Sequence, residues 1–121
     1  MADTLEVQDS ARLKLTRNGI VLYDQNFVST AQTYTVHAAD RVVLATNMSS
    51  FQQASLGDLG ASTPAEFLMV VSDQAITIGV SSTTATISAD LLLMQGASVT
   101  QLHFKNTDAN NTATVEFVAT D

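Results

Sequence analysis

Residues 66–80 constrain the fold of this chain more than any other stretch, because an unbroken apolar run there is followed by strict alternation. Residues 67–71 are all apolar, rich in β-branched types and too few for an independent helix, which is typical of a strand buried on both faces. In residues 76–80 apolar side chains alternate with Thr77 and Gly79, the pattern of a half-exposed strand. The polar residues 72–74 are expected to form a turn between the two strands.

The same period of two extends along the chain. Turn signals recur about every 8–12 residues and no long segment has helical period, which is typical of sandwiches and barrels. We therefore predict an all-β fold, an antiparallel β-sandwich for which a jelly-roll-like arrangement is one option. A chain of 121 residues that is 45% hydrophobic fits one domain. We place the sandwich at residues 11–121, after an N-terminal arm at residues 1–10.

A β-hairpin is the clearest local prediction. Asn18 and Gly19 stand between two alternating runs and tolerate the positive φ angles of a type I′ turn. A two-residue loop would pair Arg17 with Ile20 and Leu15 with Leu22. The predicted register puts four apolar residues on one face, Leu13, Leu15, Ile20 and Leu22, and puts Lys14, Thr16, Val21 and Tyr23 on the other.

Two further segments supply candidate interface residues. Residues 1–10 are polar apart from Leu5 and Val7, and are either a frayed terminus or an extended arm that pairs with a neighbouring subunit. Residues 47–64 are rich in Ser, Ala, Gln and Gly and are expected to form a long surface excursion, with one helical turn over residues 51–56. The candidate interface consists of Leu5, Val7, Phe51, Leu56 and Leu59.

Composition argues against several functions. The formal charge of −7 disfavours nucleic acid and anionic membranes as partners, since both need clustered Lys and Arg. The absence of Cys excludes disulfides, thiolate metal sites and a Cys nucleophile. No basic and apolar leader precedes the domain, so we expect synthesis in a cytoplasm.

No residue pattern predicts catalysis, a metal site or a cofactor. His37 and His103 fall on the polar faces of predicted strands without metal-ligating neighbours in sequence, so both are expected to be solvated. The Asp residues fall mainly at expected turns, where their side chains cap backbone N–H groups. We therefore expect a protein that is not an enzyme.

The apolar content of residues 67–71 and 91–94 exceeds what a two-layer sheet of this size easily covers. Either both strands are central, or one face of one run is buried between subunits.

The second half of the chain carries a resemblance to a known class. The chain is short, acidic, Cys-free and rich in predicted strands. The resemblance rests on three of its segments: residues 91–100 (Leu-Leu-Leu-Met-Gln-Gly-Ala-Ser-Val-Thr), residues 102–106 (Leu-His-Phe-Lys-Asn) and residues 112–117 (Thr-Ala-Thr-Val-Glu-Phe). The chain resembles small structural proteins of tailed bacteriophage virions, closest to capsid decoration (cement) proteins.

This resemblance implies a non-enzymatic protein on the outer capsid surface that bridges coat subunits. Its partners would be the major capsid protein lattice and further copies of itself, as a dimer or trimer. Two alternatives stay open: a phage neck, tail or fibre-associated component, and a carbohydrate-binding β-sandwich module that uses the loop around Phe51.

Overall fold

The computed structural model describes residues 4–8, 10–28 and 30–121. These residues form an all-β, antiparallel fold without a helix, which confirms the predicted fold class; the main sheet is curled into a half-barrel that is compatible with a sandwich. The strands are β1 (Thr4–Val7), β2 (Ser10–Arg17), β3 (Ile20–Val28), β4 (Gln32–Leu44), β5 (Gln52–Ala54), β6 (Ala65–Val80), β7 (Thr86–Val99), β8 (Leu102–Lys105) and β9 (Ala113–Thr120).

Strand β6 is the centre of the seven-stranded main sheet, whose order is β1-β4-β9-β6-β8-β5 with β7 also on β6. One edge of β6 pairs with β7 along most of its length. The other edge pairs first with β9 and then, past an irregular segment, with β8. β2 and β3 form a separate two-stranded sheet.

The predicted turn at residues 72–74 is wrong, because β6 runs through it as one 16-residue strand. The ladder with β7 is irregular between Val71 and Ile76, so the polar residues form a bulge. The Ser72 hydroxyl accepts a hydrogen bond from the Gln74 backbone N–H, and the Asp73 carboxylate accepts one from the N–H of Thr114 on β9. These side-chain acceptors anchor the bulge within the sheet, so the chain continues in the same direction.

The core lies on the concave, inner face of the main sheet. β6 contributes the fully buried Leu68, Val70 and Ile78, and the phenyl rings of Phe104 and Phe117 pack with their centroids 5.8 Å apart. β8 and β9 contribute further buried apolar side chains, those of Leu102, Phe104, Ala113, Val115 and Phe117.

The N-terminal segment belongs to the chain's own sheet. β1 pairs antiparallel with β4, and Val7 is only 8% exposed because it packs on Phe67 and Met69 at the outer face. Thr4–Val7 is therefore neither frayed nor detached from the body, and its pairing with a neighbouring subunit stays a prediction. Residues 1–3 and 9 lie outside the described residues. The helical turn predicted over residues 51–56 is also wrong, since Gln52–Ala54 pairs with β8 as a strand.

The hairpin prediction is confirmed at its turn and wrong farther from it. Asn18 and Gly19 have φ angles of 51° and 76°, and Arg17 opposes Ile20. Beyond the next pair the register shifts, so that Leu15 opposes Tyr23 and Leu22 is the extra residue of a bulge. The bulge moves Tyr23 onto the face of Leu13 and Leu15.

Candidate functional site

The hairpin formed by residues 10–28 is exposed on both faces. From here on "the arm" means this hairpin and not the N-terminal segment of residues 1–10. Every residue from Ser10 to Val28 is exposed, so neither face of the arm is covered by the body. Its base lies next to the β1–β4 pair in sequence: Val7 opposes Gln32, and the next described pair is Ser10 with Val28. An isolated two-stranded hairpin is at best marginally stable in water.

The two faces of the arm differ in chemistry. Directly opposed residues of an antiparallel pair share a face, so the pairs of Ala11 with Phe27 and Leu15 with Tyr23 lie on one side. We call this side, with Leu13 and Ile20, the apolar arm face. Its large side chains are between 46% and 64% exposed.

The opposite face of the arm is polar. The guanidinium of Arg12 donates two hydrogen bonds to the carboxylate of Asp24, at 2.9 and 2.7 Å. This contact lowers the pKa of Asp24 below its ordinary value and raises that of Arg12. Because the pair is exposed, it orients the two strands more than it stabilises them.

A second apolar surface lies on the outer face of the main sheet. Register places Leu93, Met69 and Val118 in one cross-strand row and Leu91, Val71 and Glu116 in the next. Leu91 is 61% exposed, Leu93 46% and Val71 41%, whereas their neighbours Leu92 and Val70 face the core. We call Met69, Val71, Leu91, Leu93 and Val118 the outer patch.

An acidic cleft borders the outer patch. It has a volume of about 350 Å³ and is lined by Arg41, Val71, Ser72, Asp73, Thr114 and Glu116. Arg41 lies 3.8 Å from Glu116, and both side chains are more than two-thirds exposed. Such a pair contributes little to stability and leaves Glu116 accessible to a further cation.

His103 is not solvated as predicted. It is 8% exposed, its Nε2 lies 3.2 Å from the Gln101 side-chain oxygen, and its ring contacts Phe51 edge-on at 6.4 Å. The Lys105 ammonium lies 5.4 Å from the centre of the same phenyl ring. Phe51 is thus engaged by its own chain, which reduces its suitability as a platform for a sugar. The side chain of His37 lies outside the described part of the structure.

The remaining candidate interface residues are mostly internal. Leu56 and Leu59 are 6% and 7% exposed and belong to the main core cluster, and Val7 is buried at the outer face. For Leu5 the structure describes the backbone pairing with Tyr34 only. The surface cleft next to Leu56 and Leu59 holds about 370 Å³ and is lined mainly by small and amide side chains.

A polar hub fixes the loops at one end of the sheet. Asn106 is fully buried, donates through Nδ2 to the carbonyls of Ala45 and Asn111, and accepts from the Gln74 side-chain amide and the Asp108 N–H. Asp108 in turn accepts from the N–H groups of Asn110 and Asn111, which lowers its pKa. Both side-chain polar atoms of Asn106 therefore have partners, and its role is structural.

The described residues contain no recognisable metal site, and the chain has no match among known proteins. Among the described residues, no group of three or more His, Cys, Asp or Glu side chains is placed to hold a metal ion, and no helix is long and apolar enough to cross a membrane. No family model, no curated protein and no solved structure matches the chain.

Proposed function

We propose that this protein is a non-enzymatic structural subunit of a phage virion, a capsid decoration protein that binds the outside of the assembled head and bridges coat subunits. The observation that carries the proposal is the arm, whose apolar face is exposed along its whole length. Apolar surface of this extent normally marks an interaction site. The resemblance of the second half of the chain, mainly residues 67–120, to virion structural proteins supplies the kind of assembly.

Charge supports the outer surface of a particle as the location. A chain with 12 acidic and 5 basic residues is repelled by DNA, so it suits the outside of a head better than the inside. The same charge keeps free copies soluble until a specific contact forms.

The mechanism is stabilisation by mass action. A subunit that binds the assembled lattice and not its separated parts lowers the free energy of the intact shell. Many copies act together, because each bound subunit opposes the release of the coat subunits that it bridges.

The test uses heads assembled from the encoding phage genome in the absence of this chain. Purified protein is added, and occupancy is measured by electron microscopy and heat resistance by genome release. We expect saturable binding to heads and a higher temperature of genome release. The Val21→Thr/Val28→Thr variant, altered on the polar arm face, serves as control and should bind normally.

Absence of binding to heads would overturn the proposal. Binding to necks, tails or fibres would instead support a component of those structures, and saturable binding to a glycan array would support the carbohydrate-binding alternative.

A further inference from the structure

We propose that the apolar arm face of one copy packs on the outer patch of a second copy, so that the protein self-associates by reciprocal exchange of arms. This inference deepens the proposed function, because it names the contact by which decoration subunits would join one another. It is tested without capsids.

The apolar arm face and the outer patch are both exposed to solvent in a single chain. The arm presents Leu13, Leu15, Tyr23 and Phe27 on one face, and the outer patch presents Leu91 and Leu93 on the opposite side of the sheet from the core. The arm needs cover, since two strands alone are marginal in water. The outer patch of another copy offers a sheet face of matching apolar chemistry.

The distribution of charge favours a second copy as the partner. Arg12, Lys14 and Arg17 against Asp24 give residues 10–28 a net charge of +2, which leaves −9 for the remainder of a chain whose total is −7. The arm carries three of the five Lys and Arg residues. A cationic arm is therefore attracted to the anionic body of another copy, although the whole chains repel each other.

A local charge match lies at the same place. Arg17 opposes Ile20 and is thus the charged residue on the apolar arm face, near its tip. Glu116 stands in the row of Val71 and Leu91, and with Asp73 makes the adjoining cleft acidic despite Arg41. Charged groups at the rim of an apolar contact set its orientation.

The area of the arm face is large enough for a specific contact between two copies. Strands of eight and nine residues extend about 30 Å, and two of them span about 10 Å, so the arm face covers roughly 300 Å². Covering it with an equal area of sheet buries about 600 Å², and reciprocal exchange doubles this to about 1,200 Å². That total lies at the lower end of specific protein interfaces.

The experiment measures self-association of the full chain by sedimentation equilibrium, without any capsid. One variant alters the arm (Leu13→Thr/Leu15→Thr) and another alters the patch (Leu91→Thr/Leu93→Thr). Threonine keeps strand propensity and removes apolar surface. Matched controls make the same kind of change on the opposite faces: Val21→Thr/Val28→Thr on the arm and Ile87→Thr on β7, where Ile87 opposes the inward-facing Ile78.

We expect the wild type and both controls to associate, with dissociation constants that rise with salt because the contact joins opposite charges. The arm variant and the patch variant should each weaken self-association by at least about tenfold. A mixture of the two variants should associate better than either alone, because one intact arm meets one intact patch in the mixed pair.

Three results would overturn the inference. If the wild type stays monomeric at about 100 µM, the arm serves another partner, and a positive head-binding result would then identify the coat lattice. If only the arm variant is affected, arms contact arms. If only the patch variant is affected, sheets contact sheets. Failure to bind heads with self-association intact would overturn the proposed function and leave this inference standing.

Discussion

The polar hub at Asn106 offers a sharp test of how the loops are held. Its side chain makes four hydrogen bonds: Nδ2 donates to Ala45 O at 3.0 Å and to Asn111 O at 2.8 Å, and Oδ1 accepts from Gln74 Nε2 at 3.0 Å and from Asp108 N at 3.1 Å. Each such bond contributes about 1 kcal/mol net. Ala45 and Asn111 are exposed residues whose carbonyls can bind water when the amide is lost. We therefore expect Asn106→Ala to lower the free energy of unfolding by about 2–4 kcal/mol.

The assay is equilibrium unfolding in urea, followed by circular dichroism at low protein concentration so that self-association does not contribute. The dependence of the free energy of unfolding on urea concentration should keep its slope, while the urea concentration at the midpoint falls. Asn110→Ala is the control, since this exposed residue lies in the same loop and engages Asp108 through its backbone N–H. Its effect should stay within about 0.5 kcal/mol. A loss below about 1 kcal/mol for Asn106→Ala would refute the role of the hub.

An isosteric change adds a pH test. Asn106→Asp keeps the two accepted bonds but turns an oxygen toward the carbonyls of Ala45 and Asn111. Burial beside these carbonyls raises the pKa of the new carboxyl in the folded state above its unfolded value of about 3.9. The variant should therefore approach wild-type stability below about pH 4 and lose stability as pH rises through the folded pKa. A difference from wild type that is independent of pH would contradict this account.

Three other predictions concern single positions. Gly79→Ala should lower the free energy of unfolding by about 1–3 kcal/mol, because the new Cβ would clash with the backbone oxygen of Ser82. Gly60→Ala, whose new Cβ would meet no atom within 4 Å, is the control in thermal unfolding, and equal melting of the two variants would disprove the close approach. Asp108 has a lowered pKa through the N–H groups of Asn110 and Asn111, so its contribution is present above the unfolded carboxyl pKa and is lost as pH falls through the folded value. As pH is lowered from 5 to 2, the urea midpoint of Asp108→Asn should thus fall less than that of the wild type. An equal dependence of the two midpoints on pH would argue against stabilisation by the hydrogen bonds to Asp108. Gly19→Val should disrupt the hairpin turn, because Gly19 has a φ of 76° that valine resists. Self-association measured by sedimentation should weaken, while the free energy of unfolding of the body stays within about 0.5 kcal/mol of wild type. A larger loss of stability would mean that the arm and the body fold together.

The exposed apolar surfaces could be predicted only in part from the sequence. The excess of apolar residues at 67–71 and 91–94 correctly raised the question of an uncovered face, and Val71, Leu91 and Leu93 are indeed exposed. By contrast, Leu56 and Leu59 were expected on a surface loop and lie in the core. A leucine in a loop carries no local signal of which neighbours will cover it, since those neighbours come from distant strands.

The sequence by itself determined the features that depend on neighbouring residues. The period of two predicts strands rather than helices. Asn18 and Gly19 predict the hairpin turn, and the alternation of Ala113, Val115 and Phe117 gives the inward side of β9. These features follow from φ preferences and from the side-to-side alternation of a strand, which act over a few residues.

Only the tertiary structure decided how far strands run and which faces are covered. Residues 72–74 have turn chemistry, yet pairing with β7 and β9 before them and with β7 and β8 after them keeps β6 one strand through the bulge. The bulge at Leu22 reassigns Tyr23 to the other face of the arm, and β1 buries Val7 against Phe67. The extension of β6 and the burial of Val7 depend on pairing between residues far apart in the chain, whose free energy exceeds the local preferences at the positions concerned. The bulge at Leu22 arises between neighbouring strands of the hairpin itself.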